Sequence, residues 1–230
     1  LILAGGFGSR LRSVVKDVPK PLAPVNGKPF LFWVLKNLQR QGCAEVVLSL
    51  YHKAELFEEY LRGHTHELKI RCIIEDEPLG TGGAIAYAVY KKAIHGEFLV
   101  MNGDTWLDNF FLPMLQTNTP SVGVVSVEDT TRYGSVCWQD NKVVQFLEKQ
   151  PNAFTGWINA GIYRLSAKDF IGWDCKPFSL ESELLPIWVQ QERLQVCKLE
   201  SDFFDIGIPA DYLSFTHYIE NLKIIRLKNG

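Results

Sequence analysis

At 230 residues, 47% of them hydrophobic and 22% charged, the chain is long enough for one sizeable core and short for two independent domains. A formal net charge of -2 excludes the strong basic field that nonspecific nucleic-acid binding needs, so an anionic ligand must be met by local cations and backbone N–H groups. No apolar run approaches the roughly 20 residues of a membrane helix and no secretory leader is legible, so a cytoplasmic setting away from membranes is expected. The chain opens at Leu1 in what reads as a strand, and a few residues are expected upstream.

Residues 1–3 form a short apolar start that runs into a glycine loop. Apolar side chains at Phe30, Leu31, Val34, Leu35 and Leu38 predict a helix over 30–40, stopped at Gly42. A buried strand follows at 46–50, a helix near 54–62, a strand at 70–74, a helix at 81–93, and a strand at 98–101 that ends on Asn102-Gly103-Asp104. This alternation predicts an α/β fold with a parallel sheet and helices on both faces. The second half changes character. Strands are expected at 121–127, 134–138, 143–147 and 159–164 with shorter links, Asp140-Asn141 forming a turn. Helices are expected at 180–191 and 210–222. Together these give a single domain over 1–230, a Rossmann-like α/β fold with a mixed, mostly parallel central sheet.

The five cysteines are odd in number and form no CxxC or Cys/His cluster, which argues against structural zinc and a disulfide framework. Cys43, Cys72, Cys137 and Cys197 sit beside apolar residues and read as buried thiols. The five histidines, His52, His64, His66, His95 and His217, form no ligand set.

In an open α/β sheet, ligands bind beyond the carboxyl ends of the strands. The glycine loop after Leu3, the segment after Ile74 and the Asn102-Gly-Asp104 turn all fall there and should meet in one crevice. In Leu3-Ala-Gly-Gly-Phe-Gly-Ser-Arg-Leu11, Gly5, Gly6 and Gly8 let the backbone approach a ligand and aim N–H groups at it. The guanidinium of Arg10 suits phosphate oxygens. In Pro19-Lys-Pro-Leu-Ala-Pro24, three prolines stiffen the loop, disfavour helix and hold Lys20 in place.

The two motifs at this separation resemble the signature of the sugar-phosphate nucleotidyltransferase family. The likeness continues through Glu75-Asp-Glu-Pro-Leu-Gly-Thr-Gly-Gly-Ala84, Asn102-Gly-Asp104, Arg132-Tyr-Gly134, Phe146-Leu-Glu-Lys149, Asn159-Ala-Gly-Ile-Tyr163 and Asp205-Ile-Gly207, in family order. It implies attack by a sugar 1-phosphate oxygen on the α-phosphorus of a nucleoside triphosphate, with pyrophosphate leaving. It also implies the roles that follow. Arg10 meets the triphosphate near the leaving group, and Lys20 meets the α-phosphate. Asp104 and Asp205 hold magnesium. Leu3, Gly5, Gly6, Gly8, Glu75, Gly80 and Thr81 contact the nucleotide. Gly134, Glu148, Lys149 and Asn159 contact the sugar phosphate. Residues 1–120 would then be mainly a nucleotide-binding half and 121–230 mainly a sugar-binding half. Family members often associate, so a homo-oligomer fits.

Glu75 points to the base. A carboxylate can accept from both donors on one edge of guanine, whereas uracil and thymine offer one donor there. GTP is therefore the expected triphosphate, with the backbone of Gly80–Gly83 as the other candidate reader. The run from Val14 to Phe30 looks most like a family branch that uses a heptose 1-phosphate.

Overall fold

The computed structural model describes residues 1–6, 11, 15, 18–63, 68–147, 149, 151–152, 154–174 and 176–228, with side chains as far as residue 222. β1 (Ile2–Leu3) is followed by a 3-10 turn over Lys20–Leu22, a hairpin of β2 (Pro24–Val25) and β3 (Lys28–Pro29), then α1 (Phe30–Arg40) and β4 (Glu45–Leu50). Next come α2 (Ala54–Arg62), β5 (Lys69–Ile74), α3 (Gly80–Tyr90), β6 (Glu97–Asn102), β7 (Thr105–Leu107) and α4 (Phe111–Leu115). β8 (Ser121–Val127), β9 (Ser135–Gln139), β10 (Lys142–Leu147) and β11 (Gly156–Ser166) carry the chain to a π-helical turn at Leu180–Leu184. α5 (Leu185–Gln190), β12 (Gln195–Lys198), β13 (Phe203–Asp205) and α6 (Pro209–Lys228) complete it.

The main sheet has the order β5-β4-β1-β6-β11-β8-β12-β10-β9. β5, β4, β1 and β6 are parallel, β11 runs antiparallel to β6 and β8, and β12 is parallel to β8. Ser135 of β9 also pairs with Ile158 of β11, which folds the far edge back beside the middle of the sheet. A short ladder of β13 on β7 sets Asp205 opposite Thr105.

Alternation along the strands supplies two cores. On one face Ile2, Leu48, Leu50, Met101 and Ile162 pack with Phe30, Leu31, Phe57, Phe215 and Ile219 from α1, α2 and α6. On the other, Val100, Val122, Val124, Tyr163 and Leu165 pack with Ile85, Leu180, Leu185 and Trp188. Each fully buried aliphatic or aromatic side chain contributes about 1.5–3 kcal/mol. The mixed α/β sheet covered on both faces is thus the fold the sequence pattern predicts.

Several boundaries differ. α3 stops at Tyr90, not Ala93, because Lys92 takes a left-handed conformation (φ 55°) while the amides of Lys91, Lys92 and Ala93 bond back into the helix. The proline loop does contain a 3-10 turn. Pro21 fits within it, and the flanking Pro19 and Ala23 are extended. The segment at 180–191 begins as a π turn before becoming α5. The four cysteines expected to be buried are free thiols, yet only Cys197 is fully buried; Cys43, Cys72 and Cys137 are half-buried.

Candidate active site

The carboxyl ends of β1, β5 and β6 open into a cleft of about 430 Å³. Leu3, Gly5, Gly6, Lys20, Glu75, Gly80, Thr81 and Asp104 line it, so eight of the residues expected from the sequence share one cavity. Gly8, Arg10 and Glu148 lie outside the described residues. No helix among the described residues is long and apolar enough to cross a membrane.

The loop around Lys20 docks its ammonium on Asp104, Nζ to Oδ2 at 2.7 Å, with the two side chains 13% and 28% exposed. Asp205 joins them through the backbone. The Ile206 amide donates to the Asp104 carbonyl at 2.9 Å, and the Gly207 amide donates to Asp205 Oδ1 at 2.8 Å. A methyl group built on Gly207 would lie 2.7 Å from Asp205 Oδ1 and 3.4 Å from Lys20 Nζ, so both groups crowd one spot. Burial, followed by the charge of Asp104, pushes the Asp205 carboxyl above its ordinary pKa. Two hard carboxylates close together beside one cation form a donor set that suits a divalent metal. Among the described residues no group of three or more His, Cys, Asp or Glu side chains gathers.

Glu75 is buried just beyond the end of β5. Ser49 Oγ donates to its Oε1 at 2.8 Å and the Leu79 amide to its Oε2 at 3.2 Å. Burial is the main reason its pKa is raised, and the two donors oppose the shift. Glu75 therefore shapes the turn into α3 as well as lining the cleft. The backbone alternative weakens, because the Gly82 and Gly83 amides already donate to the Phe178 carbonyl at 3.0 and 3.2 Å. The Thr81 hydroxyl is also committed, donating to Glu181 and accepting from the Leu180 amide. The Leu3 carbonyl accepts from Gly103.

Of the residues expected on the sugar side, Gly134 and Asn159 flank the point where the folded-back edge meets β11. Gly134 precedes Ser135, which pairs with both Leu147 and Ile158. A side chain at Gly134 would meet the Leu147 carbonyl at 2.6 Å, so only glycine lets β10 come this close. Lys149 follows two residues after Leu147, and Asn159 follows Ile158. Strand β11 shifts register between Asn159 and Tyr163, and Gly161 within the shift has φ 66°. An added Cβ there would sit 2.6 Å from the Asn102 side-chain amide nitrogen, so the bulge presses β11 against the cleft wall beside Asp104.

Sequence reasoning did not single out Ser49, Phe178, Glu181 or Asp211. Arg132 forks onto both oxygens of Asp211 at 2.9 and 2.7 Å, tying the turn before Gly134 to the first turn of α6. Such partners lie tens of residues apart and carry no local spacing signal.

A parallel-to-mixed sheet with a glycine turn, a lysine and paired aspartates at its carboxyl edge defines a class. A family model described as nucleotidyl transferase matches residues 1–221, and the chain belongs to that family. It is 38% identical to the D-glycero-alpha-D-manno-heptose 1-phosphate guanylyltransferase of Campylobacter jejuni, over 94% of this chain and 97% of that one. It is 37% identical to HddC from Yersinia pseudotuberculosis, whose crystal structure superimposes with a TM-score of 0.85 over 95% of this chain and 97% of that one. HddC has also been solved in complex with GMP-PN. A more distant relative, the catalytic subunit beta of mannose-1-phosphate guanylyltransferase from Drosophila melanogaster, is 35% identical over 97% of this chain and 63% of its own length.

Proposed function

We propose that this chain transfers GMP from GTP to D-glycero-α-D-manno-heptose 1-phosphate in the cytoplasm, giving a nucleotide-sugar and pyrophosphate. The observation that carries the reading is the meeting of Lys20, Asp104 and Asp205 at the mouth of the cleft. The high coverage of guanylyltransferase relatives supports it.

In this reaction a phosphate oxygen of the sugar phosphate forms a bond to the α-phosphorus. The bond from that phosphorus to the bridging oxygen breaks, and pyrophosphate carries the electron pair away. Such chemistry needs positioning and charge neutralisation more than a protein nucleophile. Gly5 and Gly6 let the nucleotide lie against the backbone, and Glu75 reads guanine. Lys20 neutralises charge at the α-phosphate, and Arg10 does so at the leaving group. Asp104 and Asp205 would hold a magnesium ion, which when bound supplies positive charge shared between phosphate oxygens. Gly134, Glu148, Lys149 and Asn159 hold the sugar phosphate, which makes residues 121–230 the sugar half and 1–120 the nucleotide half.

Pyrophosphate release is measured with heptose 1-phosphate or mannose 1-phosphate against GTP, UTP, CTP and dTTP. The highest kcat/KM is expected for heptose 1-phosphate with GTP. Equal or better use of mannose 1-phosphate moves the assignment to that sugar. Binding without turnover makes the chain a sensor, not an enzyme.

A further inference from the structure

A part-buried polar chain runs from Thr81 in the cleft to Asn159 on β11 through Glu181 and Tyr163, two residues that no step above uses. Glu181, in the π turn, accepts from the Thr81 hydroxyl on Oε2 and from the Tyr163 hydroxyl on Oε1, the latter at 3.2 Å. Ser179 Oγ adds a bond to Oε2 at 3.3 Å. Tyr163 in turn accepts from Asn159 Nδ2 at 2.8 Å, and Asn159 Oδ1 accepts from the Gly161 amide at 2.9 Å.

The two ends fix every donor direction between them. The Gly161 amide can only donate, and an ionised carboxylate can only accept. Asn159 must therefore turn its oxygen to Gly161 and its nitrogen to Tyr163. The phenol oxygen takes that bond and gives its own proton to Glu181. Tyr163 is fully buried, and burial holds the phenol well above its ordinary pKa, so the proton stays available. Reversing the Asn159 amide would set its NH2 against the Gly161 N–H and its oxygen against the Tyr163 oxygen, whose one proton is already given to Glu181.

We propose that Glu181 and Tyr163 are positioning residues that clamp the Asn159 amide in one orientation and so fix the donor and acceptor it offers to sugar hydroxyls. The inference rests on the proposed role of Asn159. It also accounts for the odd local structure, since the π turn brings Glu181 within reach of Thr81 on α3 and Tyr163 on β11 together.

Tyr163→Phe keeps the ring and removes the relay. With Gly161 alone holding it, the amide can swing, so kcat/KM for the sugar phosphate should fall about tenfold, mainly through KM, with KM for GTP held within about twofold. Glu181→Leu should lower sugar-phosphate use alike, and because it also frees the Thr81 hydroxyl in the cleft, the selectivity for the sugar phosphate over GTP is read from Tyr163→Phe. Glu181→Gln should recover most of the loss, because its oxygen can still face Tyr163 while its nitrogen bonds to hydroxyls that are able to accept. The deciding measurement is the double variant with Asn159→Ala: adding Tyr163→Phe to it should cost nothing further. Multiplying effects, equal losses for GTP and sugar phosphate, or unchanged sugar use in a folded Tyr163→Phe would each overturn the relay. Unchanged sugar use in Asn159→Ala overturns the role of Asn159 and the relay with it. A wild type that neither binds nor turns over a sugar phosphate overturns the reaction itself.

Discussion

Asp104→Asn keeps the side-chain shape and removes one of three charges at the mouth of the cleft. In the free protein, Asp104 gains from Lys20 at 2.7 Å and loses by raising the Asp205 carboxyl. Unit charges about 4 Å apart interact by about 4 kcal/mol at an effective dielectric near 20, and here one attraction and one repulsion vanish together. With Lys20 still beside Asp205, the change in unfolding free energy should stay within about 1 kcal/mol. Turnover has no such offset. Losing a metal carboxylate should slow it roughly 100-fold or more, about 2.7 kcal/mol or above at the transition state. Magnesium at about a hundred times its Kd should stabilise the wild type by about 2.7 kcal/mol and the variant by much less. Urea unfolding with magnesium and with EDTA, alongside pyrophosphate release, tests both halves. Near-wild-type turnover of the folded variant refutes the metal role. Destabilisation beyond about 3 kcal/mol would show instead that Lys20–Asp104 is a structural ion pair.

Lys20→Ala should lower kcat strongly, because charge at the α-phosphate grows towards the transition state; a change confined to KM in steady-state assays would reduce Lys20 to a binding group. Glu75→Gln should cost GTP about 1–3 kcal/mol in kcat/KM and UTP less. Its amide can serve both internal partners, with oxygen to Leu79 and nitrogen to a Ser49 hydroxyl turned to accept, so an unchanged GTP value in the folded variant removes Glu75 as the base reader. Because burial raises the Glu75 pKa in the folded state, the folded protein binds its proton more tightly than the unfolded chain does. Its contribution is fully present below the unfolded pKa and lost as pH rises through the folded one. Over that window wild-type stability should fall relative to Glu75→Gln, and parallel urea-unfolding curves would contradict the burial argument.

The sequence made much of this legible, for reasons that can be traced. Helices α1 and α2 fall where apolar spacing and end signals agree, at Phe30–Arg40 and Ala54–Arg62. Strand starts were less visible, because Glu45, Lys69, Glu97 and Lys142 are exposed polar residues that join strands only through their neighbours' ladders. β7, β13 and β12 are four residues or fewer, too short to show a period. Helix α4 carries Pro113 and spans one turn, which reads as loop. The site divides the same way. Glycines, Lys20, Asp104 and Asp205 sit in local motifs, so their types and spacing announce them. Glu181 sits in an ordinary amphipathic stretch, and its meaning comes from Thr81, one hundred residues earlier, and from Tyr163.

Placement of the proposed catalytic groups follows from how tightly the two halves of the sheet are joined. β6 is held on one side by β1 and on the other by β11. At its end, the Gly103 amide bonds to the Leu3 carbonyl at 2.8 Å, and a side chain on Gly103 would meet that same oxygen at 2.6 Å. The turn after Leu3 and the Asp104 turn therefore approach as closely as two backbones can. On the opposite side the Gly161 bulge pushes against Asn102, and the Asp104 carbonyl is held by Ile206 from β13's end. A loop pinned from three directions has little freedom to move its carboxylate, so Asp104 meets Lys20 and Asp205 without a substrate having to draw them together. That preorganisation is what a reaction governed by charge placement requires.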